Sequence, residues 1–174
     1  MIEAIFLDAA IKRATDCKML GDKVFTQLTD ADLHFQYNEE SNSIAVIIQH
    51  LYGNMLSRWT DFLTTDGEKD WRDRDAEFET KAQTKEELVA LWEKGWTCFL
   101  GALKALTAED LSKTIHIRSE ALTVVDAIAR QLIHYPAHVG QIMYIGKMIR
   151  GNEWKSLSIP KGQSQQFNQS MKKP

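Results

Sequence analysis

The sequence is short of the residues that mark several large protein classes. It has two cysteines, Cys17 and Cys98, in 174 residues, too few for a disulfide framework. Both are expected to be reduced, buried or partly buried thiols in a cytoplasmic protein, and no local motif marks either as a nucleophile. Prolines number three, and no low-complexity block or internal repeat breaks the chain into an array. Basic charge is not in surplus: 21 Lys and Arg stand against 24 Asp and Glu, a net charge of −3. That balance argues against a nucleic-acid surface, which needs clustered cations. No apolar run approaches the roughly 20 residues that span a bilayer. The longest, IAVII from position 44, stops at Gln49. The first residues carry no basic stretch ahead of an apolar one, so no signal peptide is expected.

What the chain does have is helical periodicity over a length suited to one domain, 1–174. Leu7, Ala10, Ile11 and Ala14 set the apolar stripe of a first helix at 2–28, with Gly21 expected to weaken its last part. A polar connection holds His34, which reads as a packed or solvated histidine. Ser41 or Asn42 can cap a second helix from Ser43 to about Leu63, whose apolar side is Ile44, Ile48, Leu51, Met55 and Trp59. Thr84 and Glu87 form a capping box that opens a third helix, ending at 105–107, in which Gly95 and Gly101 are expected to mark close packing against a neighbour. Residues 114–118 alternate as a brief strand or extended link, with His116 exposed. A fourth helix runs from Ala121 to Arg150 and is stopped by Gly151. Between the second and third helices, 66–84 is dense in charge of both signs around Trp71 and Phe78. It reads either as a functional loop or as a solvated connection pinned by Trp71. The expected architecture is therefore all-α, a four-helix bundle whose long connections at 29–42 and 64–83 allow crossing topology.

The fourth helix carries the chemistry. His134 and His138 are four residues apart, on one face and one turn from each other, with Gln131 and Gln141 on the same face. Such a pair either grips a metal ion, as in helical zinc sites, or is incidental. Pro136 lies between them; one kinked helix fits the unbroken apolar phase, and a break at Pro136 is the alternative. His50 falls in a stripe of the second helix with Ser43, Asn54, Ser57 and Asp61. Periodicity makes that stripe a solvated face, whereas small polar residues around one histidine also suit the wall of a cleft. In a bundle, His50 could meet His134 and His138 from a facing helix.

Four stretches carry a family resemblance: IIQHLYGNMLSRWTDFL, DGEKDWRDRDAEFE, AIARQLIHYPAHVGQIMYIGKMIRG and WKSLSIPKGQSQQFN. Together they resemble the DinB/YfiT-like metal-binding four-helix bundle superfamily, and within it a branch of bacterial proteins of unknown function. The resemblance implies a three-histidine site made of His50, His134 and His138. It implies a divalent metal, Zn²⁺ or Ni²⁺ first, since an all-imidazole site discriminates poorly among first-row ions. Gln131, Gln141 and Asn54 are expected to orient ligand imidazoles or a bound water. Because relatives include transferases and isomerases that use thiols, the resemblance implies thiol-dependent S-transferase-like chemistry on a small electrophile, with a low-molecular-weight thiol as co-substrate. Arg72, Arg74 and Lys69 are candidates to hold the anionic part of that thiol. The alternatives are a hydrolase whose nucleophile is water activated by the ion, with Asp61 or Asp75 as distant candidate bases, and a non-enzymatic metal-binding or stress-response protein. A small-molecule substrate and a homodimer are the expected partners, with no nucleic acid and no membrane.

Overall fold

The computed structural model describes residues 2–172. Four long helices form the body: α1 (Ile2–Phe25), α3 (Ile44–Trp59), α4 (Lys85–Ala105) and α5 (Val124–Arg150). They pack in a closed cycle, with α1 and α3 each lying against both α4 and α5. A short α2 (Asp30–Leu33) sits in the first connection, and α6 (Ser164–Met171) follows in the tail. Among the described residues, no helix is long and apolar enough to cross a membrane.

Local chemistry sets the helix ends. Thr84 and Glu87 form the capping box at the start of α4: the Thr84 side chain accepts from Glu87 N, and the Glu87 carboxylate accepts from Thr84 N. The cap of α3 is Ser43, one residue later than expected, accepting from Val46 N. This helix stops at Trp59 rather than near Leu63: the backbone is already extended at the C-cap Thr60, and the chain then turns at Asp61, whose φ is +48°. At the other end of the fold, α5 stops at Gly151, a C-cap with φ +52°. Pro136 lies inside α5 without ending it. It sits on the exposed side, where water can satisfy the carbonyl that loses its partner.

Several expectations need correction. Gly21 does not weaken α1; the helix runs through it because a Cβ there would overlap the Trp92 ring, so the glycine marks close packing with α4. Gly95 does the same between α4 and α3, where a Cβ would stand 3.2 Å from Tyr52 Cα, but Gly101 faces open space. Trp71 pins nothing, being 60% exposed. The brief strand expected before the last long helix is present as β1 (Thr114–Ile117), but it pairs antiparallel with β2 (Glu120–Thr123) in a hairpin, so α5 begins at Val124 and not at Ala121. Its two turn residues, Arg118 and Ser119, both have positive φ, the geometry of a two-residue hairpin turn usually filled by Asn and Gly. Asp66 compensates: its carboxylate accepts from the backbone N–H of Arg118 and of Ser119, each at 2.8 Å. The same carboxylate accepts from Glu68 N at 2.7 Å, and these bonds, that from Glu68 first, hold Asp66 below the usual carboxylate range.

An aromatic core joins the helices. Trp92 and Trp96 of α4 lie 5.3 Å apart, Trp96 and Tyr135 5.8 Å, and Phe99 and Tyr135 5.0 Å, ring centre to ring centre. Tyr135 is buried and its hydroxyl donates to Asn54 Oδ1 at 3.1 Å while accepting from Trp59 Nε1 at 3.0 Å. These bonds fix the rotation of α5 against α3. With Tyr135 locked inward, its neighbour His134 is turned toward the seam between the two helices.

Candidate metal centre

Three histidines meet in that seam. The Nε2 atoms of His50 and His134 are 3.4 Å apart, and those of His138 and His134 3.1 Å. One ring nitrogen of each lies within 4.8 Å of the other two. His50 is 5% exposed, and His134 and His138 are half-buried. The polar stripe of the second helix is therefore not a solvated face. Ser43, His50, Asn54 and Ser57 are all buried, His50 against Glu77, Ser57 against Gly67 O and Asn54 against Tyr135 of α5, whereas Asp61, beyond the end of the helix, is exposed.

Each outer ring nitrogen has an oxygen partner. His50 Nδ1 stands 3.0 Å from Glu77 Oε2, His134 Nδ1 3.2 Å from Gln131 Oε1, and His138 Nδ1 2.8 Å from Gln141 Oε1. Burial pushes the Glu77 carboxyl up, but hydrogen bonds from His50 and Arg72 outweigh it and hold the group below its usual range. Glu77 is therefore a carboxylate, and His50 Nδ1 donates to it; in the neutral imidazole that a metal ligand requires, this tautomer puts the lone pair on Nε2. The amide oxygens of Gln131 and Gln141 impose the same tautomer on the other two rings. The lone pair of His134 Nε2 then faces those of His50 and His138 at 3.4 and 3.1 Å with no hydrogen between them, a repulsive arrangement that a cation held among the three rings would relieve.

The spacing fits such a cation. Two imidazole nitrogens bound at about 2.05 Å to a tetrahedral ion stand roughly 3.3 Å apart, and the two separations from His134 Nε2 bracket that value. The protonation states fit as well. Burial first, then the neighbouring rings of His138 and His50, lower His134 to about 4. Burial also lowers His138, against an opposing hydrogen bond to Gln141. Both rings are neutral near pH 7, as ligands must be.

The support for His50 comes from a segment with no periodic pattern. Arg72 grips Glu77 through two bonds, Nε to Oε1 at 2.7 Å and Nη2 to Oε2 at 2.9 Å, and the Arg72 side chain is only 2% exposed. Phe78 lies along the other side of the His50 ring, 5.0 Å between centres. A three-residue turn, Asp75–Glu77, places Glu77 with Arg72 before it and Phe78 after it, and Gln49 Nε2 holds the segment beyond through Glu79 O at 3.2 Å. Gly53, one turn below His50, makes the space: a Cβ there would overlap the Glu77 carboxylate. Gly53→Ala is expected to displace Glu77 and weaken metal binding by about 10- to 100-fold, as loss of an orienting partner does. Competition against a chromophoric chelator measures this, and unchanged affinity in a folded variant would break the link from Gly53 to His50.

The remaining candidates fall elsewhere. Asn54 is committed to Tyr135 rather than to an imidazole. Arg74 is half exposed over the Phe78 ring, 5.1 Å from its centre, and Asp75 is almost fully exposed beside it. Arg72 is committed to Glu77, and Lys69 to Thr65 and to Asp66 O. Asp61 follows the end of α3, eleven residues or roughly 16 Å of helix rise from His50. His34 ties α2 to the start of α4 through Gln83 O at 2.7 Å, and His116 is exposed. Cys17 is buried and pushed up to about 12 by that burial; burial likewise raises Cys98, so neither is poised as a thiolate. Glu77 and Gly53 were missed from sequence. The one signal for Glu77 was an acidic residue in an aromatic-bearing loop, which its charged neighbours shared.

A mostly helical fold of four packed long helices, with a histidine cluster of metal-binding geometry between two of them, defines the class of protein. The chain belongs to the family described as protein of unknown function DUF1572, which matches residues 2–163 and is itself a member of the DinB-like superfamily. No curated protein matches it significantly.

Proposed function

We propose that this protein is a metal-dependent enzyme of DinB/YfiT-like four-helix bundle architecture, acting on a small molecule. The residues that hold its divalent ion, Zn²⁺ or Ni²⁺, are His50, His134 and His138. The observation that carries this reading is the tautomer lock: all three outer nitrogens face oxygen acceptors, so all three inner lone pairs converge. Three protein ligands leave coordination open for a reactant, as in catalytic rather than structural sites. An ion held there supplies Lewis acidity, lowering the pKa of a thiol or a water that joins it.

The chain's own groups do the positioning. Glu77 and Arg72 fix the His50 ring, Gln131 and Gln141 fix the other two, and Phe78 covers one side of His50 from water. S-transferase-like chemistry with a low-molecular-weight thiol is the first reading. Hydrolysis is the second, favoured by the engagement of Arg72 with Glu77 and of Lys69 with Asp66 O, two of the candidates to hold an anionic thiol. A homodimer in the cytoplasm completes the proposal.

Metal content by mass spectrometry, on protein purified without a histidine tag, tests it. About one first-row ion per chain is expected, and its loss in His50→Ala and in His138→Ala. Absence of bound metal after reconstitution with Zn²⁺, Ni²⁺ and Mn²⁺ would overturn the reading.

A further inference from the structure

One turn beyond the histidines lies a groove of about 570 Å³. Phe35, Tyr37, Ile47, Tyr144 and Met148 are among its walls, with Gln141 at its inner edge. Gln141 is the residue bonded to His138 Nδ1, and Ile47 is one turn from His50, so the groove borders the metal centre on the Nδ1 side of His138. Its volume is that of a small-molecule site. Four of its side chains, Phe35, Tyr37, Tyr144 and Met148, are large apolar groups left substantially open, Tyr37 being 74% and Tyr144 67% exposed. Flat aromatic walls of this kind suit a flat apolar body.

The charge of the groove narrows the occupant. Its lining includes one carboxylate, Glu40, beside the polar Ser41 and Asn42, and no lysine or arginine. Arg150, on the same helix as Tyr144, is turned to Asp32 and Glu153 instead. We infer that this groove binds the organic part of the substrate, and that the ligand class is a flat aromatic molecule that is cationic or hydrogen-bond-donating, not anionic. Its amine-like end meets Glu40 and its reacting end points past Gln141 to the histidines. The orientation rests on the proposed metal centre; the groove's ligand preference does not. An anionic thiol is disfavoured in this groove by Glu40.

Three probes with one flat body and different charge test the inference: naphthylmethylammonium, naphthol and naphthoate. Binding is measured by calorimetry on the full chain, metal-free so that naphthoate has no ion to ligate, with metal content measured on separate reconstituted samples. The ammonium probe is expected to bind at least about tenfold more tightly than naphthoate, with naphthol between. Glu40→Gln should bring the ammonium probe close to naphthol. Tyr144→Ala and Tyr37→Ala, both surface changes, should weaken all binding by roughly fivefold to tenfold. Naphthoate binding as tightly as the ammonium probe, or unchanged binding in both tyrosine variants, would overturn the inference. So would a concentration-dependent dimer that Tyr144→Ala dissociates in the absence of probe binding, which would make this face a contact between copies. Probe binding of the expected pattern in protein that never takes up metal would sink the metal reading alone; metal uptake with no probe binding would sink the groove alone.

Discussion

Glu77→Ala is expected to cost about 3–5 kcal/mol of folding stability, the range for removing one partner of a buried ion pair. The reason is what remains behind. Arg72 keeps its charge with a side chain 2% exposed, and loses both of its bonds at 2.7 and 2.9 Å. Its Nη1 already has no partner among the described residues, so nothing nearby takes over. His50 Nδ1 loses its acceptor at the same time. Urea denaturation of metal-free protein isolates this effect from any change in metal binding. Glu77→Gln keeps the shape and an acceptor for His50 but not the charge, and should lose less, roughly 1.5–3 kcal/mol. Arg72→Leu combined with Glu77→Leu should recover most of the loss, since an apolar pair leaves no buried charge uncompensated. A Glu77→Ala loss below about 1 kcal/mol would show that the pair is solvated and that it does not hold His50.

The contrast between Glu77 and the histidines shows what the sequence could carry. His134 and His138 were visible because helical spacing translates directly into a shared face. The caps at Thr84 and Gly151 were visible because each uses a residue whose local chemistry suits the terminus. His50 was not visible from periodicity, which placed it on a polar stripe; polarity there reflects contact with a buried charged loop, not with water. That loop has no repeat from which to read depth, so nothing separated Arg72 and Glu77, both buried, from Arg74 and Asp75, both exposed. Alternation marked the first strand of the hairpin, but the second strand and the turn were hidden for a different reason. Ala121 and Leu122 continue the apolar phase of α5, and its turn uses Arg118 and Ser119 in place of Asn-Gly, with Asp66, some fifty residues earlier, satisfying their amides. A long-range bond of that kind leaves no local trace.

Metal should stabilise the chain strongly at neutral pH and not at all in acid. At an ion concentration of about 100 Kd, binding to the folded state alone adds about 2.7 kcal/mol, or roughly 5–11 °C in Tm for a chain of this size. Acid removes this shift because the ion needs three bare nitrogens. His134 is lowered to about 4 from 6.5, so it resists protonation in the folded chain further into acid than an exposed histidine would. The shift in Tm is therefore expected to survive to about pH 6 and to vanish by about pH 4. Metal-free protein behaves differently. Below pH 6.5 the unfolded chain takes a proton on His134 that the folded chain refuses, so stability falls as pH drops from 6.5 toward 4; the lowered His138 acts in the same direction. Glu77 adds a second acid loss, because its held-down carboxyl contributes stability above its unfolded value of 4.5 that disappears below it. Scanning calorimetry across this range, with and without Zn²⁺, separates the two curves: they should stand apart at pH 7.5 and converge near pH 4. A Zn²⁺ effect of the same size at both ends would mean that the ion binds surface carboxylates and not the imidazoles of His50, His134 and His138.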